Sequence, residues 1–227
     1  MKLKRLAEEF DMKFDHKIFK KNIVSRQDCT LLQFITGSPV PPEFNKFGTT
    51  LTQRAKNIEA FLSFDVSAYR WLGGGLVVDI QETLEVVKKI KNQKTKKRLL
   101  ALLNSFKSYA GEAVVVGDPA EQHQNRNFNR VLYHEWIHVL VEYNGLTFKD
   151  WRYNEAFTVY LEHYLKTMDN KDMDDLRLMV KKASHKKGYG QATRRMGRFI
   201  KLFSDKRTPK ERMAALREFK QKKEHAK

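Results

Sequence analysis

The sequence holds one cysteine, five prolines and eleven glycines in 227 residues, and it has no long apolar run. A single thiol, Cys29, cannot build an intramolecular disulfide framework and fits a reducing compartment. So few prolines and glycines, with no internal period, exclude a repeat-rich or disordered chain. No stretch approaches the roughly 18 apolar residues that a membrane span needs, so no membrane partner is expected. Acids and lysines interrupt the first 21 residues, which therefore lack the apolar centre of a signal peptide, and a cytoplasmic location is the expectation.

Acid is also scarce. The chain carries 44 Lys and Arg against 27 Asp and Glu, a net charge of +17. From residue 166 onward the count is 20 against 8, so the C-terminal quarter holds most of the excess. A stripe of this sign suits nucleic acid or an acidic protein as partner, and equally a well-solvated helical surface.

What is present in quantity is helical pattern. With 41% hydrophobic residues the chain can bury a core, and the spacing predicts helices over 1–22, 26–36, 50–64, 79–91 and 95–109. Gly37 to Pro42 reads as a loop, and Gly73-Gly74-Gly75 as a flexible turn or a tight backbone approach. The clearest strand is Glu112 to Val116, a β-branched run between Gly111 and Gly117, with the end of a buried helix as the alternative. A strongly helical stretch follows to Asn144, with Gly145 placed for a left-handed cap. Asp150 caps a second helix to Thr167. The tail predicts helices over 172–183 and 191–203, a break at Gly188-Tyr189-Gly190, and a last helix from Pro209, with Thr208 and Glu211 as a capping box. The expected class is α+β and predominantly helical. Three regions are expected, parts of one compact domain: a helical N-terminal region 1–110, forming a cleft wall or a pro-segment; a core 111–168; and a basic helical region 169–227.

The chemistry concentrates in His134-Glu135-Trp136-Ile137-His138. At about 100° per residue the two histidines lie one turn apart on nearly one face, so both imidazoles can reach one metal ion. Glu135 falls at the edge of that face, where it can serve as base to a water on the metal. The flanking residues Val131, Leu132, Val139, Leu140 and Val141 make the helix apolar nearly all round, and polar groups buried there are costly without a partner. A zinc site needs a third protein ligand. Glu155 lies about 7.5 Å into the next helix, and His138 about 9 Å before the turn, so an antiparallel hairpin closed by residues 145–149 sets them level.

HExxH on one helix and Asn154-Glu155 on the next resembles a gluzincin zinc peptidase, over about residues 112–164. The resemblance implies a zincin-like core with one Zn²⁺ per chain, His134, His138 and Glu155 as ligands, Glu135 as general base, and a peptide or protein substrate. It further implies that 112–117 is the edge strand of a short sheet, whose Ala113, Val114, Val115 and Val116 bind substrate backbone by β-addition. The thermolysin-like form of the second motif is Asn-Glu-x-x-Ser-Asp; here Thr158 replaces the serine and Val159 the aspartate that orients a histidine. Asn154, Thr158 and Glu162 are the candidates around the ligands, with Glu162 or a backbone carbonyl accepting the histidine N–H. Oxyanion donors could come from Tyr153, Tyr160, His163, Tyr189 or His123. Cys29 reads as an inert buried thiol, with an inhibitory metal ligand as the alternative.

The expected activity is hydrolysis of peptide bonds, endoproteolytic in kind. A basic nucleic-acid-binding protein with a structural or vestigial zinc site is the second reading, and a helical protein without metal the third.

Overall fold

A computed structural model describes residues 2–36, 50–61, 75–106, 112–117, 128–167, 189–206 and 208–225. The chain divides into two compact units: 19–135, the sheet unit, and 1–18 with 136–227, the helical unit. The units thus cut across the three regions read from the sequence. The fold is predominantly helical with one small sheet. No helix among the described residues is long and apolar enough to cross a membrane.

The sheet unit contains β1 (Asn22–Val24), α2 (Arg26–Thr36), α3 (Leu51–Phe61), β2 (Gly75–Asp79), α4 (Ile80–Lys88), α5 (Gln93–Ser105) and β3 (Glu112–Gly117). Strand order is β1-β3-β2, with β1 parallel and β2 antiparallel to β3. This corrects the expectation that 112–117 is an edge: β3 is the central strand, with Val115 and Val116 paired to both neighbours and Ala113 and Val114 to β2. The physical reason is pairing with β1 and β2, both remote in sequence, and the burial of the run agrees with it. Val114, Val115 and Val116 are all buried, as a strand covered on both faces requires, whereas an edge strand carries charge or alternates.

Local capping sets the helix starts. Ser25 and Asp28 open α2, where the Asp28 amide donates to Ser25 Oγ at 3.1 Å. Thr50 and Gln53 exchange backbone-to-side-chain bonds ahead of α3. The Glu82 amide donates to Asp79 Oδ1 at 2.9 Å for α4, and the Thr95 amide to Asn92 Oδ1 at 3.0 Å for α5. Each satisfies an amide that the first helical turn leaves open. Leu31, Leu32, Ile35, Ile58, Val78, Val86, Val87, Leu99, Leu103 and Val115 fill the unit's core.

The helical unit contains α1 (Lys2–Glu9), a 3-10 turn (His16–Ile18), the end of α6 (Phe128–Tyr143), α7 (Trp151–Thr167), α8 (Tyr189–Phe203) and α9 (Pro209–His225). The expected long helix over 1–22 ends at Glu9. Asp11 takes a left-handed φ of 51°, and the Met12 amide returns to the Ala7 carbonyl at 2.9 Å, which closes the helix. The expected break at Tyr189 is instead the first turn of α8, and the helix expected over 172–183 lies outside the described residues.

An aromatic core binds this unit. Phe10 stands edge-on to Phe157, Tyr160, Tyr164 and Phe203, at 5.2 to 6.3 Å between centroids. Above it, the buried Arg212 donates to the Glu9 carboxylate and to the Glu9 carbonyl, both at 2.7 Å, and to the Lys206 carbonyl at 3.1 Å. Tyr164 donates to the same carboxylate at 2.9 Å. The N-terminal helix is thereby tied to α7 and α9. Asn144 adds a two-way bond to the Lys13 backbone, at 2.7 and 3.1 Å. At α9 the Thr208–Glu211 capping box forms as the sequence predicts, at 2.8 and 3.3 Å.

Candidate metal centre

The α6–α7 hairpin is closed by three devices. Gly145 takes φ +66°, its amide donates to the Glu142 carbonyl at 2.8 Å, and the Leu146 amide reaches back to the Val141 carbonyl at 3.0 Å. This pair of bonds ends α6 as a Schellman motif, with Leu146 buried behind it. Asn154 then holds the connection, accepting from the Phe148 amide at 2.5 Å and donating to the Phe148 carbonyl at 2.8 Å. Asp150 caps α7, accepting from the Arg152 amide at 3.0 Å.

The result is the expected juxtaposition. One ligand atom from each of His134, His138 and Glu155 lies within 4.8 Å of the others, and these three make the group able to hold a metal among the described residues. His138 Nε2 is 3.3 Å from Glu155 Oε1. A tetrahedral ion with bonds of about 2.0–2.1 Å spaces its donors by roughly 3.3 Å, so this pair already stands at a ligand–ligand separation. On the other side of the ring, His138 Nδ1 lies 3.1 Å from Thr158 Oγ1. When Nε2 gives its lone pair to a metal, Nδ1 carries the proton and donates it to that hydroxyl, which fixes tautomer and ring plane. The donor set and its orientation fit a divalent ion such as zinc.

Around these ligands, Thr158 takes the orienting contact to His138, and Asn154 is spent on closing the hairpin. Glu162 is buried on the Glu155 face of α7, outside the ligand group. Tyr153 points about 200° around α7 from Glu155; its hydroxyl accepts from Arg198, and its ring lies 5.0 Å from the Arg195 guanidinium and 5.5 Å from that of Arg198. Tyr160 is packed among Phe10, Phe199 and Phe203, where burial pushes its hydroxyl well above the ordinary phenol range. The structure therefore places neither tyrosine with the ligands. His163 is half-buried on α7 and does not join the group. Tyr189 starts α8, its side chain outside the described residues, as is His123.

Glu135 is only 8% exposed. Cys29 is close enough to feel its charge: burial first, and the Glu135 carboxylate next, push the thiol up to about 12, against a backbone hydrogen bond from Gly117. Cys29 is thus a buried thiol and no member of the ligand group. Sequence reasoning missed Gly75 as a neighbour of Glu135, although the glycine triplet signalled a close backbone approach there. Part of the C-terminal basic excess is committed internally: Arg195 to Asp150, Lys220 to Glu224, Lys222 to Glu218 and Arg212 to Glu9.

Comparison with protein-family models, curated proteins and solved structures finds no match to this chain.

Proposed function

We propose that the chain is a zinc-dependent peptidase of gluzincin kind, in which His134, His138 and Glu155 hold the ion and Glu135 is the general base. The observation that carries this reading is the convergence of the three donor atoms within 4.8 Å, on two helices whose caps and closures put them there. A divalent ion held by this set supplies Lewis acidity, polarising an amide carbonyl and lowering the pKa of a water. Glu135 takes the proton that the attacking water gives up and returns it to the amine nitrogen as the peptide bond breaks. Thr158 keeps His138 in the ligating tautomer throughout.

With β3 interior, the edge strand that begins beside Glu135 is β2, Gly75 packing against the Glu135 side chain. An extended peptide adding to a sheet edge would add there.

Metal analysis of the purified wild type, His138→Ala and Glu155→Ala, together with peptide hydrolysis by wild type and Glu135→Gln, tests the reading. About one equivalent of zinc in wild type is expected, lost in both ligand variants. Glu135→Gln should keep the metal and lose hydrolysis. A metal-free wild type, or undiminished hydrolysis by Glu135→Gln, would overturn it.

A further inference from the structure

Gly75 opens β2 opposite Val116 of β3. A Cβ built on it would stand 2.8 Å from Val131 Cγ1, 2.9 Å from Glu135 Cγ and 3.0 Å from Val116 Cγ1. Separations below 3.0 Å are ones that real Cβ atoms essentially never show. The requirement for glycine is steric rather than conformational, because Gly145, and not Gly75, is the glycine with positive φ among the described residues. Even the smallest side chain has no room.

The crowding falls on one face of α6. Val131 and Glu135 are one turn apart, so both present the same side of the helix to the strand, while His134 is turned about 100° and His138 about 60° from it. Two of the three close atoms belong to β-branched valines, which have little freedom to yield. The third is Glu135 Cγ, one bond from the carboxyl carbon. A displacement of Cγ is therefore a displacement of the carboxylate. The strand start is itself held, since the buried Gln33 donates to the Gly75 carbonyl at 3.4 Å.

We propose that Gly75 is a positioning residue for Glu135: the bare backbone of β2 is the wall against which the aliphatic part of the base rests, and this sets where its carboxylate stands. This rests on the reading of Glu135 as general base. A general base must lie within hydrogen-bond reach of the proton it takes, and a misplacement on the order of 1 Å can reduce rate about a hundredfold. The three atoms nearest to an added Cβ belong to Val131, Glu135 and Val116, and none to a ligand histidine, so metal binding should be spared.

A double-mutant cycle and kinetics test this together. Gly75→Ala, Glu135→Ala and the double variant are unfolded in urea in the metal-free form. Gly75→Ala should raise the unfolding equilibrium constant by roughly tenfold in the native background. In the Glu135→Ala background, where Cγ is absent, the effect should shrink by about threefold or more. In the zinc-loaded form Gly75→Ala should keep its metal and KM but lose at least about tenfold in kcat. If Gly75→Ala does not fold, the Gly75→Ala/Val131→Ala pair, compared with Val131→Ala alone, carries both measurements with one collision removed. Additive unfolding effects overturn the proposal, and so does native kcat in Gly75→Ala while Glu135→Gln is inactive. Equal activity of Glu135→Gln and wild type would instead bring down the peptidase reading itself.

Discussion

Replacing Thr158 by valine removes one hydroxyl and almost nothing else. Thr158 is fully buried, valine has nearly its shape, and the lost group is the Oγ1 that stands 3.1 Å from His138 Nδ1. In the metal-bound form the Nδ1 proton would then point at a methyl group. A buried donor left without an acceptor costs about 1–3 kcal/mol, equivalent to roughly one to two decades of affinity, the range found for orienting partners of ligating histidines. The metal-free protein has an escape: the imidazole can move its proton to Nε2 and offer it to Glu155, 3.3 Å away, leaving Nδ1 as a lone pair. The penalty should therefore fall on metal binding more than on folding. Zinc affinity measured by competition with a chromophoric chelator is expected to fall about tenfold to hundredfold in Thr158→Val and to stay near wild type in Thr158→Ser. Urea unfolding of the metal-free variant should show a smaller loss. An affinity within about twofold of wild type, in a protein whose metal still depends on His138, would refute the orienting role. Equal losses in stability and affinity would refute the tautomer argument.

Two further outcomes follow from the helical unit. Arg212→Ala removes the cation from the Glu9 carboxylate, leaving it the Tyr164 hydroxyl, and a donor from two backbone carbonyls, and should destabilise by about 3 kcal/mol, the lower end for a broken buried pair because Glu9 is partly exposed; urea unfolding measures this, and trypsin should reach the N-terminal segment sooner, while Glu9→Gln loses less. At Asp150 burial alone would raise the carboxyl, but hydrogen bonds from the Arg152 side chain and amide and the charges of Arg195 and Arg152 outweigh it and hold the group below its usual 3.8. A depressed folded pKa gives stability that is fully present above the unfolded value and drains away as pH falls through the folded one. Asp150→Asn keeps the cap and loses the charge, so its deficit, about 0.5–1 kcal/mol at neutral pH, should begin to shrink as pH falls below the usual 3.8 and vanish only below the depressed folded value, in unfolding curves taken against pH.

The hairpin that carries the candidate ligands was legible because its signals are local. Gly145 occupies the left-handed position that its sequence context demands, Asp150 caps, and HExxH sets two candidate ligands by helical period alone. The helices Arg26–Thr36 and Pro209–His225 were readable for the same reason. What was not legible depends on distant partners. β2 is a strand because it pairs with β3, about forty residues away, and a glycine at one end and a capping aspartate at the other disguise it as a turn. β1 is three residues long and paired with a strand some ninety residues on. Without these two partners β3 reads as an edge. The first helix was overextended because apolar spacing continues past Asp11, where the backbone turns out of the helix. Asn154 was drawn to the ligands by its neighbour, but its side chain serves the loop; Thr158, one turn on from Glu155, holds the histidine instead.

The bond pair between Asn154 and the Phe148 peptide makes the stretch between them a ruler of fixed length. A residue inserted before Phe148, around Gly145, would lengthen a bridge whose far end stays anchored, and Glu155 would keep its facing. The same insertion between Trp151 and Asn154 would turn Asn154 and everything after it by about 100°, breaking the bond pair to Phe148 and swinging Glu155 away from His138 and Thr158 with it. Length variation in this hairpin is therefore tolerable on one side of Phe148 and ruinous on the other, and a lineage of such chains should bear its insertions and deletions accordingly.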